Sequence, residues 1–242
     1  MLYTMTLGVN RVHMQSGYGF YFGLWQPAPF NAQPAAVYAN YYAQLFVGDF
    51  IGRSGAMQAV ELEVGTDGDT LTAYAAYEAG VLKRVAITNL GYFDGTQQPQ
   101  SQRSSQSFSI AVPAGVQDVV MQTLTALNGA TEVDTNNITW AGMKYTTDND
   151  GLAQSVGNAS TALPVNDGRV VVTVEQSQAV MVFFGAQGNG SASASASATA
   201  TGSAASASAT HKSGASGLGR SGRLGVAAAA FVCAVLGIMS SI

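Results

Sequence analysis

The amino-acid sequence predicts a mainly β protein: an antiparallel β-sandwich preceded by a single βα unit of the kind that builds a (β/α)8 barrel. Apolar residues recur with a period of two from Ala56 to Phe184, in short runs separated by turn residues. Ahead of them, a short alternating run from Val9 to Gln15 breaks into a loop punctuated by Gly17, Gly19 and Gly23, followed by a tyrosine-rich helical pattern. After Gly188 the composition collapses into Ser, Ala, Thr and Gly, which ends the part of the chain able to build a core.

The opening run reads as a strand ending in polar side chains. In barrel enzymes that edge is where substrate groups bind. One parallel strand needs neighbours on both sides, so the unit is expected to belong to something larger. His13 and Gln15 alternate with Val12 and Met14, so one pair can face a barrel interior, while Tyr18 and Trp25 fall in the following loop. Pro27, Pro29 and Pro34 then punctuate the chain, and a helix is expected from about Pro34 to Phe50. Val37, Tyr41 and Leu45 recur at four-residue spacing, and Tyr38, Tyr42, Phe46 and Phe50 widen the apolar face. Pro34 suits a first turn and Gly52 or Gly55 a stop. The tyrosines suit a sugar-stacking face as well, but a helix packed through its aromatics is the expectation.

In the sandwich, Val60, Leu62 and Val64 alternate with Glu61 and Glu63, giving one buried and one wet face. Asp67-Gly68-Asp69 is a hairpin turn signal. Strands are expected over Thr70–Tyr77, Leu82–Leu90, Ser107–Val112, Val119–Ala126, Ile138–Tyr145, Arg169–Val174 and Ala179–Phe184, with an exposed polar loop from Asp94 to Ser105. The domain plan is thus a barrel remnant over 1–55, a sandwich over 56–187, a disordered Ser/Ala/Gly stalk over 188–223 and an apolar signal over 224–242.

Composition narrows the function classes. A net charge of −4 and the lack of any Lys/Arg cluster argue against a nucleic-acid partner. The single cysteine, Cys233, lies in the apolar tail, so no disulfide framework or cysteine metal site is expected. His13 and His211 are the only histidines, and Asp148-Asn149-Asp150-Gly151 lacks the later ligands of a calcium loop, so it is expected to be a plain turn. No metal or cofactor is expected.

Arg11-Val12-His13-Met14-Gln15 with Trp25-Gln26-Pro27 resembles the last barrel strand of fungal glycoside hydrolase family 79, the β-glucuronidase and heparanase-like enzymes. Leu71-Thr72-Ala73-Tyr74-Ala75-Ala76-Tyr77 and Val85-Ala86-Ile87-Thr88-Asn89-Leu90 resemble strands of that family's C-terminal β domain, and the likeness runs over roughly residues 2–185. It implies a glycan substrate reached through a barrel, with His13, Gln15, Tyr18 and Trp25 on the substrate-facing lip. Glycoside hydrolysis by the usual route takes two carboxylates. In the family both are glutamates on earlier barrel strands, whereas the first acidic residue here is Asp49. Glu61 and Glu63 are the close pair, and they are expected to be a solvated sheet face. No catalytic residue is carried over, and the chain alone is expected to be inactive.

The ends of the chain carry expectations about location. Sequons occur at Asn137, Asn158 and Asn189. Ser213, Gly214 and Ala215, a spacer with Arg220 and Arg223, and the apolar run from Leu224 to Met239 follow the order of a glycosylphosphatidylinositol signal. A C-terminal transmembrane segment is the rival, although the run is short of the ~20 residues a span prefers. Met1 to Leu7 lacks a secretory n-region. An anchor signal without a leader, and a barrel unit without its barrel, share one expected cause: a longer natural product or a truncated copy. The reading is therefore the C-terminal accessory domain of a β-glucuronidase-like hydrolase, surface-anchored in its full-length form. The alternative is a non-catalytic adhesion or polysaccharide-binding module on a stalk.

Overall fold

The computed structural model describes residues 1–9, 11–14, 19, 23–64, 70–132 and 135–185. The expected turn at Asp67-Gly68-Asp69, the stalk and the apolar segment lie outside them.

The chain opens with a short helix, α1 (Leu2–Thr6), and not with the expected strand. Val9 and Arg11–Met14 carry no strand, and Arg11–Met14 are exposed. A strand exists through its hydrogen-bonded neighbours, and among the described residues this run has none. Strands β1 (Trp25–Gln26) and β2 (Ala36–Val37) then pair antiparallel, Trp25 opposite Val37. That pairing holds Ala36 and Val37 extended, so α2 (Ala39–Ile51) starts five residues after Pro34 and not at it. The helix ends at Gly52, whose φ of 70° strains any other residue and where a side chain would have to displace the Arg84 guanidinium. Its buried stripe is Tyr42, Phe46 and Phe50 with Val47, one residue out of phase with the Val37/Tyr41/Leu45 row.

Beyond the helix the chain is β. It runs through β3 (Met57–Leu62), β4 (Leu71–Glu78), β5 (Val81–Asn89), β6 (Ser105–Ala111), β7 (Val119–Ala126), β8 (Ile138–Trp140) and β9 (Met143–Tyr145). It finishes with β10 (Ala153–Ser155), β11 (Thr161–Ala162), β12 (Arg169–Glu175) and β13 (Gln178–Phe184). All pairings are antiparallel. Nine strands form one sheet in the order β10-β9-β8-β7-β13-β5-β4-β3, with β11 added beside β7, while β12 and β6 make a separate two-stranded sheet. The expected strand Ile138–Tyr145 is a tight hairpin, because Ala141 and Gly142 both take positive φ between the paired Trp140 and Met143.

The large sheet is covered on both faces, and alternation sorts its side chains between two cores. Ala73, Ala75, Val85, Ile87, Val180 and Val182 point to one side and pack with Phe108, Ile110, Val170 and Val172 of the small sheet, which is the sandwich. Tyr74, Ala76, Ala86, Met181 and Phe183 point to the other side, where α2 supplies Tyr42, Phe46, Val47 and Phe50 and α1 supplies Leu2. The alanines of β4 let a helix and a sheet both approach closely. Edge strand β3 departs from the expected clean alternation. Met57 and Ala59 pack toward the helix side, Leu62 and Val64 pack toward the small sheet, and Val60 is exposed.

The segment expected as an exposed polar loop, Asp94 to Ser105, also contains a buried anchor. The Arg103 side chain is only 3% exposed. It donates to the carbonyls of Gln176 (2.8 Å), Ser177 (3.1 Å) and Ala126 (3.3 Å) and lies 5.1 Å from the centre of the Phe93 ring. Gln176 and Ser177 form the turn by which the chain passes from β12 in the small sheet to β13 in the large one, so Arg103 ties the two sheets together.

Candidate functional site

Alternation in β1 puts Trp25 outward and Gln26 inward. Gln26 is buried, and its amide is satisfied at both ends. Its Nε2 donates to the carbonyls of Gln33 (3.1 Å) and Pro34 (2.9 Å), while its Oε1 accepts from the Gly19 N–H (3.0 Å) and the Tyr38 hydroxyl (3.4 Å). One side chain thus fixes the proline loop that presents Trp25. The indole is 44% exposed and meets Tyr41 edge to face at 6.0 Å, and Tyr41 in turn meets Tyr145 at 5.3 Å. Below them Tyr42 is buried. Its hydroxyl accepts the Tyr145 N–H at 2.8 Å and donates to the Tyr145 carbonyl at 3.0 Å. Burial pushes the Tyr42 and Tyr145 hydroxyls up from 10.0, so both are neutral in this corner.

The Asp148-Asn149-Asp150-Gly151 segment forms a turn, as its sequence indicates. Gly151 N–H reaches the Thr146 carbonyl at 2.9 Å, and Asp150 takes a left-handed conformation. The sequence did not indicate where this turn lies. Thr147 Oγ1 donates to the Ala35 carbonyl at 3.2 Å, which brings the turn against the Trp25 loop. Together Trp25, Pro27, Tyr41, Thr147, Asp150 and Gly151 line a cavity of about 450 Å³. An aromatic face beside hydroxyl and carboxylate groups suits a sugar ring, which offers C–H faces and a hydroxyl rim.

Of the two described lip residues expected from the sequence, His13 and Trp25, Trp25 reaches this cavity. His13 is exposed on the irregular segment after α1 and does not line it; Gln15 and Tyr18 lie outside the described residues. Tyr41, Tyr145 and Gln26 were missed as site residues. The Gln26-Pro27 pair beside Trp25 was the available signal for Gln26, whereas nothing local marks Tyr145.

The acids have structural surroundings. Asp49 Oδ2 accepts the indole N–H of buried Trp140 at 2.7 Å. Burial raises its carboxyl above 3.8, and the Trp140 hydrogen bond, Arg53 and Arg84 oppose that rise. Glu78 pairs with Arg84. Glu61 and Glu63 are exposed, the former on edge strand β3 and the latter just beyond it. Among the described residues no group of three or more His, Cys, Asp or Glu could hold a metal. A second, larger cavity of about 730 Å³ lies along α1 and α2 on the helix-side face of the sheet. Its lining is largely apolar, including Leu2, Ala43, Phe46, Val47 and Leu124, and exposed Tyr3 and Leu90 stand at it.

Of the sequons, Asn137 is half-buried at the end of a helical turn that leads into β8, and Asn158 is exposed between β10 and β11. Asn189 and the anchor candidates Ser213, Gly214 and Ala215 lie outside the described residues. Among the described residues no helix is long and apolar enough to cross a membrane.

The fold is thus a two-layered antiparallel sheet flanked by a helix, with an aromatic cleft where the Trp25 loop meets the Thr147–Gly151 turn. Comparison with known proteins gives the family of its β part. Residues 73–181 match the glycosyl hydrolase family 79 C-terminal beta domain, and this segment is such a domain. A β-glucuronidase of Aspergillus niger is 29% identical over 197 residues, covering 75% of this chain and 35% of the relative. A β-glucuronidase of Neurospora crassa is 27% identical over 177 residues, covering 62% of this chain and 31% of the relative. The chain therefore spans about a third of the length of these fungal relatives. Among solved structures, a 4-O-α-L-rhamnosyl-β-D-glucuronidase from Fusarium oxysporum superposes with a TM-score of 0.42 at 24% identity, over 52% of this chain and 25% of that one.

Proposed function

We propose that this chain is the accessory β domain of a β-glucuronidase-like glycoside hydrolase and does not itself carry the hydrolytic carboxylates. The match over residues 73–181 carries the reading. The surroundings of the acids support it: Asp49 is engaged by Trp140, Glu78 by Arg84, and Glu61 and Glu63 are exposed to solvent. The largely apolar cavity along α1 and α2 is a surface for a barrel to pack on, and glycan would be reached through that barrel. The purified chain is expected to leave an aryl β-glucuronide intact. Turnover that disappears in the Glu61→Gln/Glu63→Gln variant would overturn the reading.

A non-catalytic polysaccharide-binding role is favoured by one observation, the half-exposed Trp25 over the Asp150 cavity. Neutral oligosaccharide binding lost in Trp25→Ala, in a chain without turnover, supports that second role. We also propose that the natural product is held at the cell surface by a lipid joined near Ser213, Gly214 or Ala215. A phosphatidylinositol-specific phospholipase should release it; surface protein that resists the enzyme points to a membrane-spanning tail.

A further inference from the structure

Strand β7 changes partners along its length. Leu124, Thr125 and Ala126 pair with β8, and the Ala141 N–H still reaches the Thr123 carbonyl at 3.1 Å. Val120 and Met121 pair instead with Ala162 and Thr161 of β11. Between the two pairings the sheet forks around Gln122, whose side chain is buried. The fork is a cavity of about 210 Å³ whose lining includes Gln122, Thr123, Thr139, Asn158, Ser160 and Thr161. Amides and hydroxyls share this wall with the apolar Met121 and Ala159, and no lining side chain carries a charge, which matches the mixed C–H and hydroxyl surface of a neutral sugar and offers little to an anion or a cation.

The loop crossing the mouth of this fork is Asn158-Ala159-Ser160, an N-glycosylation sequon exposed at all three positions. It is also held in place. The Val156 N–H bonds to the Gly142 carbonyl at 2.8 Å, and the Asn158 backbone packs so closely on Gly142 that a Cβ there would stand 2.5 Å from the Asn158 carbonyl oxygen. The other described sequon differs in each respect. Asn137 is half-buried with its carbonyl bonded to the Leu127 N–H at 3.1 Å, Ile138 is in the core, and Thr139 is paired opposite Thr125 within the sheet. A glycan on Asn137 would have to be fitted into folded strands, whereas one on Asn158 grows from the surface.

We propose that Asn158 is the N-glycan site of this domain, that Asn137 stays bare, and that the first sugars lie over the uncharged fork between β8 and β11. The inference does not rest on the hydrolase reading; it requires only passage through the secretory route. The experiment takes the full 242-residue chain, led into a yeast secretory route by an added signal peptide, and maps glycopeptides by mass spectrometry. Asn158 should be occupied and Asn137 empty. Both Asn158→Gln and Ser160→Ala should remove that glycan, the latter with the asparagine still in place, and Asn137→Gln should change nothing. Occupancy at Asn137, or an unmodified Asn158 in secreted protein, overturns the site. For the seat, amide exchange at Thr123, Thr139 and Thr161 should slow in the glycosylated form relative to the same protein after enzymatic deglycosylation. Equal rates in the two forms overturn the packing of the sugar on the fork.

Discussion

Replacing Arg103 tests what joins the two sheets. Its guanidinium supplies three hydrogen bonds to main-chain carbonyls at 2.8, 3.1 and 3.3 Å, and its contact with Glu175 is longer, 3.5 Å to a carboxylate that is 46% exposed. Burial lowers the Arg103 pKa and Glu175 raises it, which leaves the guanidinium charged at neutral pH. Hydrogen bonds to a charged group are worth about 1.5–3 kcal/mol each, but desolvating the charge offsets much of that. Truncation leaves the Gln176 and Ser177 carbonyls at the β12–β13 turn without their donor, while the Ala126 carbonyl at the end of β7 keeps the Gly129 N–H at 3.1 Å. Arg103→Ala should therefore cost about 3–5 kcal/mol, the range for breaking a buried charged network. Arg103→Lys keeps the charge but not the planar fork, so one ammonium cannot reach all three carbonyls, and about 2 kcal/mol is expected to be lost. Glu175→Gln should cost less than about 1 kcal/mol, because an exposed partner is screened by water. Urea unfolding followed by tryptophan fluorescence and circular dichroism measures all three. A Glu175→Gln loss equal to that of Arg103→Ala would refute the argument, as would an Arg103→Lys protein as stable as the parent.

Other sites give shorter tests. Asp49 titrates above its ordinary 3.8 because of burial, so its contribution to stability is fully present below that pH and is lost as pH rises through the folded value. Asp49→Asn keeps an acceptor for Trp140 and should flatten that part of the pH–stability curve, whereas Asp49→Ala should cost about 1–3 kcal/mol by orphaning the indole N–H; an unchanged curve in Asp49→Asn counts against the assignment. Gly142→Ala meets both a φ of 67° and the Asn158 backbone, so a loss of at least about 2 kcal/mol is expected, while Ala141→Gly, relieving a φ of 51°, should be neutral or stabilising. Tyr42→Phe leaves the Tyr145 N–H without its acceptor and should cost about 1–2 kcal/mol in the same urea measurement.

Local pattern carried much of the β architecture. Val119–Ala126 has the bounds its sequence indicates, and Leu71–Glu78, Val81–Asn89, Ser105–Ala111, Arg169–Glu175 and Gln178–Phe184 differ from expectation only at their ends. A period of two is a property of neighbouring residues, so it survives into the fold wherever one face must be buried. The aromatic packing of α2 was legible for the same reason, although its inward row was off by one residue.

What the sequence left open depends on residues far apart in the chain. Whether Val9–Gln15 forms a strand is decided by what lies beside it, and among the described residues nothing pairs there. The start of α2 is set by β1, which holds Ala36 and Val37 extended from ten residues or more away. Strand order, which places β13 between β7 and β5, follows from closing two cores at once, and no local period encodes that order. The candidate site shows the same division: the aromatic glycine loop and the family resemblance marked Trp25, but only the fold brought Tyr41, Tyr145 and the Thr147–Gly151 turn around it. Alternation fixes which way a side chain points, while the identity of its neighbour is fixed by contacts between distant segments, which form only when the whole domain packs.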